Sequence, residues 1–230
     1  MNTENKRAIV SWTGGKDCNL ALLEAKRMGY EIISLITFAM GNARFRAHPL
    51  AVMKKQAEAL GIPHAVIAVN EPYKESYEEA IMQIKNQYQV DTIVTGDIAE
   101  IHGNTNWMTE RSKPAGIKVL LPLWHLDRQE ILNQLFASGF KIIFSCVKEP
   151  WFTSAWLGKE LTKEVVPDLT KIHELKGLDI CGEQGEYHTL VLDGPLYKKE
   201  IVIDSFSEQK NDSIMHMKIN KILMREKQIA

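Results

Sequence analysis

The sequence predicts an α/β protein, in which a parallel sheet carries helices on both faces and a smaller C-terminal α/β domain follows. Two observations predict the sheet. Short β-branched runs alternate with stretches of helical periodicity through the first half of the chain. Turns containing glycine follow three of these runs, where parallel sheets bind their ligands. A change of pattern after 122–124 predicts the second domain.

The first half of the chain alternates strand and helix from its beginning. Gly29 and Gly61 each follow a helical stretch, as glycines do at helix C-termini. Because the connections are helical, we expect parallel strands joined by right-handed crossovers. The predicted strands are 7–10, 31–38, 65–69, 91–95 and 118–121, and the predicted helices are 17–28, 50–60, 73–88 and 106–115.

The second half begins with a helix-capping signal. Asp127 precedes a helical stretch that reaches Phe136, and Glu130 completes a capping box. A strand at 140–147, a helix at 162–175 and short β-like runs at 190–204 and 214–223 are expected to follow. We therefore expect two domains, 1–125 and 126–230.

The composition argues against several classes of protein. The 230 residues carry a formal net charge of -1 without a long basic run, whereas a strong nucleic-acid footprint needs clustered Lys and Arg. Cys18, Cys146 and Cys181 form no Cys-x-x-Cys pair, which disfavours a disulfide framework or a structural zinc site. No signal peptide or apolar stretch of membrane-spanning length is evident, so we expect a cytoplasmic protein with no membrane partner. The sequence is compatible with a homo-oligomer.

The segment 11–18, Ser-Trp-Thr-Gly-Gly-Lys-Asp-Cys, is the first candidate site. It connects the first predicted strand to the first predicted helix, where unpaired N–H groups and the helix dipole favour an anion. Gly14 and Gly15 allow the backbone to approach a phosphate closely, and Lys16 adds a positive charge. The spacing excludes a Walker A loop, because position 10 is Val and Lys16 precedes Asp17. The alternative is an ordinary glycine-rich turn.

Two further turns lie where strands of the same predicted sheet end. Phe38 to Gly41 follows the second strand, and Gly96-Asp97 follows the fourth. We expect these turns and the 11–18 loop to converge on one nucleotide. Asp17 and Asp97 are candidate magnesium ligands, although Asp17 also fits a helix cap and Gly-Asp turns are common.

The segment 177–197 is the second candidate site. Glu183 and Glu186 stand beside Tyr187, His188 and Thr189, between glycines and ahead of a predicted strand. Carboxylates and imidazoles suit metal binding, proton transfer or the holding of an amine. The alternative is a polar turn that enters a hairpin.

Both segments resemble known families. The 11–18 loop is similar to the Ser-Gly-Gly-Lys-Asp-Ser pyrophosphate loop of ATP pyrophosphatases in the adenine nucleotide alpha-hydrolase superfamily, with Thr13 and Cys18 in place of two serines. Gly-Glu-x-Gly-Glu-Tyr-His-Thr, followed by Asp-Gly-Pro-Leu-Tyr, resembles the diphthine–ammonia ligase family within that group. Agreement at His48, 56–63, 96–98 and 122–124 extends the resemblance from about residue 7 to 204. It implies a HUP-like fold.

The resemblance implies ATP-dependent amide synthesis with Mg²⁺. A substrate carboxylate attacks the α-phosphate of ATP, pyrophosphate leaves, and ammonia then displaces AMP. In eukaryotic and archaeal members the carboxylate belongs to diphthine on elongation factor 2. The implied ATP-binding residues are Ser11, Thr13, Gly14, Gly15, Lys16, Asp17, Cys18, Phe38, Gly96 and Asp97; the catalytic residues are Lys16, Glu183, Glu186 and His188; the substrate-binding residues are His48, Glu110, Tyr187 and Thr189; and the metal ligands are Asp17 and Asp97.

One segment departs from the family pattern. Ile-His-Gly-Asn-Thr-Asn-Trp at 101–107, with His102, Asn104 and Asn106, stands in place of the Tyr-Gln-Arg pattern of eukaryotic and archaeal members. A different small-molecule acceptor is therefore an alternative. Sulfur transfer to an RNA acceptor and a non-catalytic adenine-nucleotide sensor are the others. Release of pyrophosphate in the presence of candidate acids separates an enzyme from a sensor.

Overall fold

The computed structural model describes residues 6–41, 43–100, 103 and 105–227. The chain forms two compact units. One comprises 1–13, 17–44 and 62–125, and the other comprises 14–16, 45–61 and 126–230. The predicted first domain, 1–125, thus contains two segments, 14–16 and 45–61, that pack with the second unit.

The first unit contains a five-stranded parallel sheet with the order β3-β2-β1-β4-β5. Its connections run outward from β1 through β2 to β3, and then return to β4 and β5. Right-handed crossovers in opposite directions place helices on opposite faces, which confirms the predicted fold class. The strands are β1 (Arg7–Ser11), β2 (Glu31–Met40), β3 (His64–Val69), β4 (Thr92–Val94) and β5 (Lys118–Leu120), and the helices are α1 (Lys16–Arg27), α3 (Tyr73–Tyr88) and α4 (Trp107–Ser112).

The core of this unit lies between the sheet and α3. Ile9, Ile36 and Ile93 project from β1, β2 and β4, and they pack with Ile81 and Ile84 of α3. All five are fully buried. The strand order reverses between β1 and β4, so the carboxyl ends of these strands border the crevice in which such sheets bind ligands.

The second unit contains a four-stranded antiparallel sheet with the order β7-β6-β9-β8. Asp127 caps its first C-terminal helix as predicted, because its Oδ1 accepts hydrogen bonds from the N–H groups of Gln129 and Glu130. The strands are β6 (Lys141–Lys148), β7 (Tyr187–Asp193), β8 (Lys199–Asn211) and β9 (Ile214–Glu226), and the helices are α2 (Leu50–Leu60), α5 (Arg128–Ala137) and α6 (Val166–Lys176).

Helix α2 joins β2 to β3 in the chain but packs against β7 and β8. The N–H of Lys198 donates to the carbonyl of Ala59 over 2.7 Å. Gly61 caps the helix in the left-handed conformation, with a φ of 67°. These contacts explain why 45–61 belongs to the second unit.

Two predicted helices differ from the observed ones at their ends. Helix α4 ends at Ser112 and not at 115, because Pro114 has no N–H group with which to continue the helical hydrogen bonds. The predicted helix 162–175 begins with the 3₁₀ turn Lys163–Val165, and α6 continues from Val166 with a proline in its first turn. Within the described part of the chain, every helix is too short or too polar to cross a bilayer.

Candidate active site

The first unit holds both flanks of the 11–18 loop. Ser11 ends β1 opposite Ile36, and the Trp12 N–H donates to the carbonyl of Ile36. The hydroxyl of Thr13 lies 3.6 Å from the sulfur of Cys18, so these two substituted loop positions contact each other. The loop thus leaves the sheet at Thr13 and re-enters this unit in the first turn of α1.

Gly96 allows β4 to end close to the start of α1. A Cβ atom at position 96 would lie 2.5 Å from the carbonyl carbon of Asp17 and 2.6 Å from the nitrogen of Cys18. No side chain fits such a separation from backbone atoms. The Gly96 turn and the Asp17-Cys18 end of the loop are therefore adjacent, as their predicted convergence requires.

Asp97 is tied to the start of α4. Its Oδ2 accepts hydrogen bonds from the Thr95 hydroxyl at 2.8 Å and the Asn106 side-chain amide at 2.5 Å. Asn106 in turn caps α4 through its Oδ1, which accepts from the N–H of Thr109. This network orients the Asp97 carboxylate, and its role as a metal ligand stays a prediction.

An aromatic pocket opens where β2 and β3 end. It has a volume of about 340 Å³. The rings of Phe38 and Tyr77 stack at 5.1 Å, and Trp107 stands edge-on to Tyr77 at 5.7 Å. Its lining residues are Phe38, Met40, Val69, Tyr73, Tyr77 and Trp107. We refer to these six residues as the aromatic pocket.

Glu110 lies on the neighbouring helix α4. Its carboxylate pairs with Lys113 at 2.7 Å on the protein surface, and its predicted contact with substrate stays untested. On the same helix, the Arg111 guanidinium lies 5.0 Å from the centre of the Trp107 ring and pairs with Glu78. His102 and Asn104 lie outside the described residues.

In the second unit, Gly14 is held by the side chain of Gln56. The Gln56 amide nitrogen donates to the carbonyls of Gly14 and Val191, each at 2.8 Å, and the Val191 N–H donates to the same Gly14 carbonyl. Gln56 is fully buried. Gly14 has a φ of 82°, and a Cβ there would lie 2.3 Å from the Gln56 Oε1. This position therefore requires glycine for two reasons.

Lys16 contacts the 177–197 segment through its backbone and its side chain. Its N–H donates to the Thr189 hydroxyl at 3.1 Å, and its ammonium donates to the carbonyl of Cys181 at 2.6 Å. The ammonium also lies 5.6 Å from the centre of the Tyr187 ring. Only 2% of Lys16 is exposed. The two sequence motifs therefore meet within the second unit.

Glu186 shapes the turn before β7. Its two carboxylate oxygens accept from the N–H groups of Asp179 at 2.9 Å and Gln184 at 3.0 Å. The side chain is 1% exposed. A buried carboxylate engaged by two amides primarily positions backbone, so we regard Glu186 as a positioning residue for the turn. Its predicted direct role in catalysis stays untested.

Glu183 lies half-buried on the same turn, and its charge acts on the ion pair of Arg128 and Asp179. Arg128 donates to Asp179 over 3.1 Å, and Asp179 also accepts from the N–H of Cys181. Burial acts to lower the pKa of Arg128. The negative charges of Asp179 and Glu183 outweigh burial, so the pKa of Arg128 is raised. Arg128 thus anchors the acidic turn that presents the Cys181 carbonyl to Lys16.

His48 and His188 form a half-buried pair beside Lys16. Their ring centres lie 5.2 Å apart in an edge-on arrangement. Burial, followed by His188 and Lys16, lowers the pKa of His48 to about 3, and burial and Lys16 lower the pKa of His188. Both imidazoles are therefore hydrogen-bonding groups without charge near neutral pH.

Some residues contribute to the site without a sequence signal for that role. Gln56 occupies a helical position next to alanines, where a polar residue predicts a solvent-facing side chain. Arg128 and Asp179 are far apart in the sequence, and charged residues of this kind are most often solvated. Sequence did mark the segments around three of them: Gln56 begins the segment 56–63 that carries the family resemblance, and Asp179 and Cys181 lie within the glycine-rich segment 177–197.

Two family models match most of the chain. The model of the diphthamide synthase N-terminal domain matches residues 6–119, and that of the diphthamide synthase C-terminal domain matches residues 127–224. The two matches include the 11–18 loop and the 177–197 segment, respectively.

Curated proteins named diphthine–ammonia ligase are also similar to the chain. The Schizosaccharomyces pombe protein is 28% identical over 231 residues, which covers 90% of this chain and 38% of that protein. The Mus musculus protein is 29% identical over 143 residues, which covers 62% of this chain and 51% of that protein. The Danio rerio protein is 25% identical over 225 residues, which covers 86% of this chain and 87% of that protein. The chain thus spans about half or less of the length of the first two.

The lowered pKa of His48 makes the stability of the fold sensitive to acid. Its pKa is about 3 in the folded protein against an ordinary 6.5, so below pH 6.5 the unfolded chain binds a proton that the folded chain does not. Stability is lost as the pH falls from about 6.5 towards 3, with a slope of up to about 1.4 kcal/mol per pH unit. We expect His48→Asn to flatten this dependence in urea unfolding measured between pH 7 and pH 4.

The exposed His125 provides the matched control for this experiment. His125 has a φ of 60°, a conformation that asparagine tolerates well, so His125→Asn introduces no backbone strain. We expect His125→Asn to retain the wild-type slope between pH 7 and pH 5, above the range in which its partner Glu100 titrates. Equal slopes for His48→Asn and wild type would contradict the assignment of acid sensitivity to His48.

Proposed function

The chain belongs to the diphthamide synthase family, and on that premise we propose that it is an ATP-dependent ligase that joins ammonia to a carboxylate. The observation that carries the proposal is the contact of Lys16 with Thr189 and Cys181. A lysine that suits the phosphates of ATP contacts the segment that would hold the acceptor. Phosphate activation and amide formation would then occur around the same side chain.

We propose that the aromatic pocket binds the adenine base. Phe38 follows Ile36 in β2 by two residues, as Thr13 follows Ser11, so the register of β1 and β2 brings the pocket next to the start of the loop. Aromatic rings offer a base a large apolar contact. The pocket volume of about 340 Å³ lies in the range of small-molecule sites.

The residues of the first unit fit a magnesium ion that accompanies ATP. Mg²⁺ in such sites takes one or two carboxylates and completes its coordination with phosphates and water. The Asp97 carboxylate, oriented by Thr95 and Asn106, suits this role, and Asp17 is the second candidate. Among the described residues no larger group of metal-ligating side chains is assembled, which accords with a phosphate-dependent site. When bound, the ion would neutralise phosphate charge.

The proposed reaction has two steps. A carboxylate oxygen of the acceptor attacks the α-phosphorus of ATP, the bond to the β-phosphate oxygen breaks, and pyrophosphate leaves. Ammonia then attacks the acyl carbon, the C–N bond forms, and AMP leaves with the electron pair of the broken C–O bond. Lys16 would stabilise the negative charge that develops on the phosphates in the first step.

The second step releases a proton from the attacking nitrogen. The pKa of His188 is lowered by burial and Lys16, so its imidazole is neutral near physiological pH. One of its ring nitrogens would accept the proton. Glu183 is a half-buried carboxylate on the adjoining turn and would hold ammonium before its deprotonation. His48, with a pKa of about 3, would serve as a hydrogen-bonding partner of the acceptor and not as a base.

We propose diphthine on elongation factor 2 as the first acceptor to test, because the similar proteins are named diphthine–ammonia ligases. The departure at 101–107 makes other carboxylic acids the next candidates. We place the reaction in the cytoplasm, since the three buried cysteines are thiols, as in a reducing compartment.

Lys16 should be required for AMP formation. We expect Lys16→Ala to raise the activation free energy by about 1.5–3 kcal/mol, because it removes a charge-assisted contact to phosphate. The turnover rate would then fall roughly 10- to 150-fold. The measurement is chromatography of the nucleotide products with diphthine-modified elongation factor 2 and ammonium. Lys26→Ala, an exposed position on the same helix, serves as the control. ADP as the main product of the wild-type protein would refute the proposed chemistry.

Trp107 should contribute to binding of the base but not of the phosphates. It is 47% exposed, so Trp107→Ala is expected to leave the fold intact. We expect ATP and AMP affinity to fall about 5- to 10-fold in calorimetry, the effect of losing one aromatic contact. Affinity for inorganic pyrophosphate should be unchanged. Trp151→Ala, in the other unit, is the control, and an unaltered ATP affinity in Trp107→Ala would argue against the adenine assignment.

Glu183 and Glu186 should respond differently to the same substitution. We expect Glu183→Gln to fold normally and bind ATP, but to slow amide formation at limiting ammonium. In Glu186→Gln an amide NH₂ would face a backbone N–H, so we expect a loss of stability of about 1–3 kcal/mol. Urea unfolding and product assays separate the two effects, with Glu174→Gln on α6 as control. If amide formation by Glu183→Gln depends on ammonium concentration as in the wild type, Glu183 has no role in the proposed mechanism.

A further inference from the structure

Three side chains of the second sheet form a row on one of its faces. Cys146 of β6 stands directly opposite His188 of β7 on one side and His216 of β9 on the other. Directly paired residues of antiparallel strands project from the same face. We refer to His188, Cys146 and His216 as the cross-strand row. Its two histidines are separated by two strand spacings, or about 10 Å between backbones.

The segment 46–48 accompanies this row. His48 contacts His188 edge-on at 5.2 Å, and the positive charge of Arg46 contributes to lowering the pKa of His216. Between these ends, the Ser145 hydroxyl donates to the carbonyl of Ala47 over 2.7 Å and fixes the segment to β6. One end of the row therefore combines His188, His48 and Lys16, and the other combines His216 with Arg46.

Cys146 and His216 of the row are buried, and His188 is half-buried. His216 is 8% exposed, and its Nδ1 is buried without a hydrogen-bond partner among the described residues. Burial and Arg46 lower the pKa of His216, and the charged neighbours that act on His48 and His188 are likewise cationic or basic. An environment of this kind favours an anion, because an anion would compensate both the positive field and the unpartnered nitrogen.

A metal ion is a poor occupant of the same place. Cys146 has its pKa raised to about 11 by burial, so its thiol stays protonated and is a weak ligand. Among the described residues no group of three potential ligands has the geometry to hold a metal. A protonated thiol is also a poor nucleophile, which disfavours sulfur transfer through Cys146.

We propose that Arg46 and His216 form a second anion subsite, which binds a carboxylate of the acceptor at the end of the row away from His188. This inference rests on the proposed function, in which the reacting carboxylate lies beside Lys16. It adds that the acceptor carries a second anionic group on the same side of the molecule. The acceptor class is therefore a dicarboxylate or a residue with an acidic neighbour, and not a monocarboxylic acid.

The test compares two small acids of equal length on the full chain. Suberate carries a carboxylate at each end of its methylene chain, whereas octanoate carries only one. We expect suberate to bind at least about tenfold more tightly than octanoate in calorimetry, and to shift the imidazole nitrogen signals of His216 in NMR spectra. Equal affinities, absence of suberate binding, or unshifted His216 signals would overturn the proposal.

Two substitutions assign the effect to the subsite. Arg46→Gln changes an exposed side chain and should fold normally, and His216→Asn keeps a polar group at the buried position. We expect each to reduce suberate affinity to near that of octanoate, with octanoate and ATP affinities unchanged. His125→Asn should bind suberate as the wild type does. Retained discrimination in Arg46→Gln, or an equal loss in His125→Asn, would overturn the assignment.

The outcome can be separated from that of the proposed function. Binding of the two acids is measured without ATP, and AMP formation is measured without either acid. If AMP is not formed but the affinity difference depends on Arg46 and His216, the ligase function fails and the subsite stands. If AMP and pyrophosphate are formed but the affinity difference is absent, the subsite fails and the ligase function stands.

Discussion

The contact between Lys16 and the 181–189 segment is the interaction on which the candidate active site depends. A lysine that is 2% exposed needs partners for its ammonium, and the Cys181 carbonyl and the Tyr187 ring provide them. The Cys181 carbonyl is in turn held in place by Asp179, which Arg128 anchors. Each of these groups is explained by the need to hold one buried charge.

A buried amide performs the corresponding task for the loop backbone. Gln56 joins the carbonyls of Gly14 and Val191 from a helix that is distant from both in sequence. The same side chain leaves no room for a Cβ at position 14. The glycine that we propose allows close approach to phosphate is thus also required by packing against Gln56.

The fold was predictable from the sequence where the signal is local, and less so where contacts are distant. Asp127 and Glu130 predicted a helix start correctly, because a cap depends only on residues within one turn. The parallel sheet followed from the alternation of apolar runs. The membership of α2 in the second unit was not predictable, since its partners Val191 and Lys198 are more than a hundred residues away.

The candidate site was predictable to a similar extent. Lys16 and the 183–189 residues were identifiable from motif and resemblance, and they meet within one unit. The distinction between Glu183 and Glu186 was not, because both are acidic residues in one glycine-rich turn and only backbone geometry distinguishes them. His216 carried no signal at all, since its role depends on strand pairing with Cys146.

The interleaved course of the chain has a consequence for how such a protein can be divided. The second unit takes 14–16 and 45–61 from the N-terminal half, so a single cut at 125/126 yields neither unit intact. The C-terminal fragment would lack α2, the Gln56 amide and the loop that carries Lys16. Splitting the gene or recombining it at that boundary would separate residues that belong to one unit. An intact second unit therefore needs both halves of the sequence.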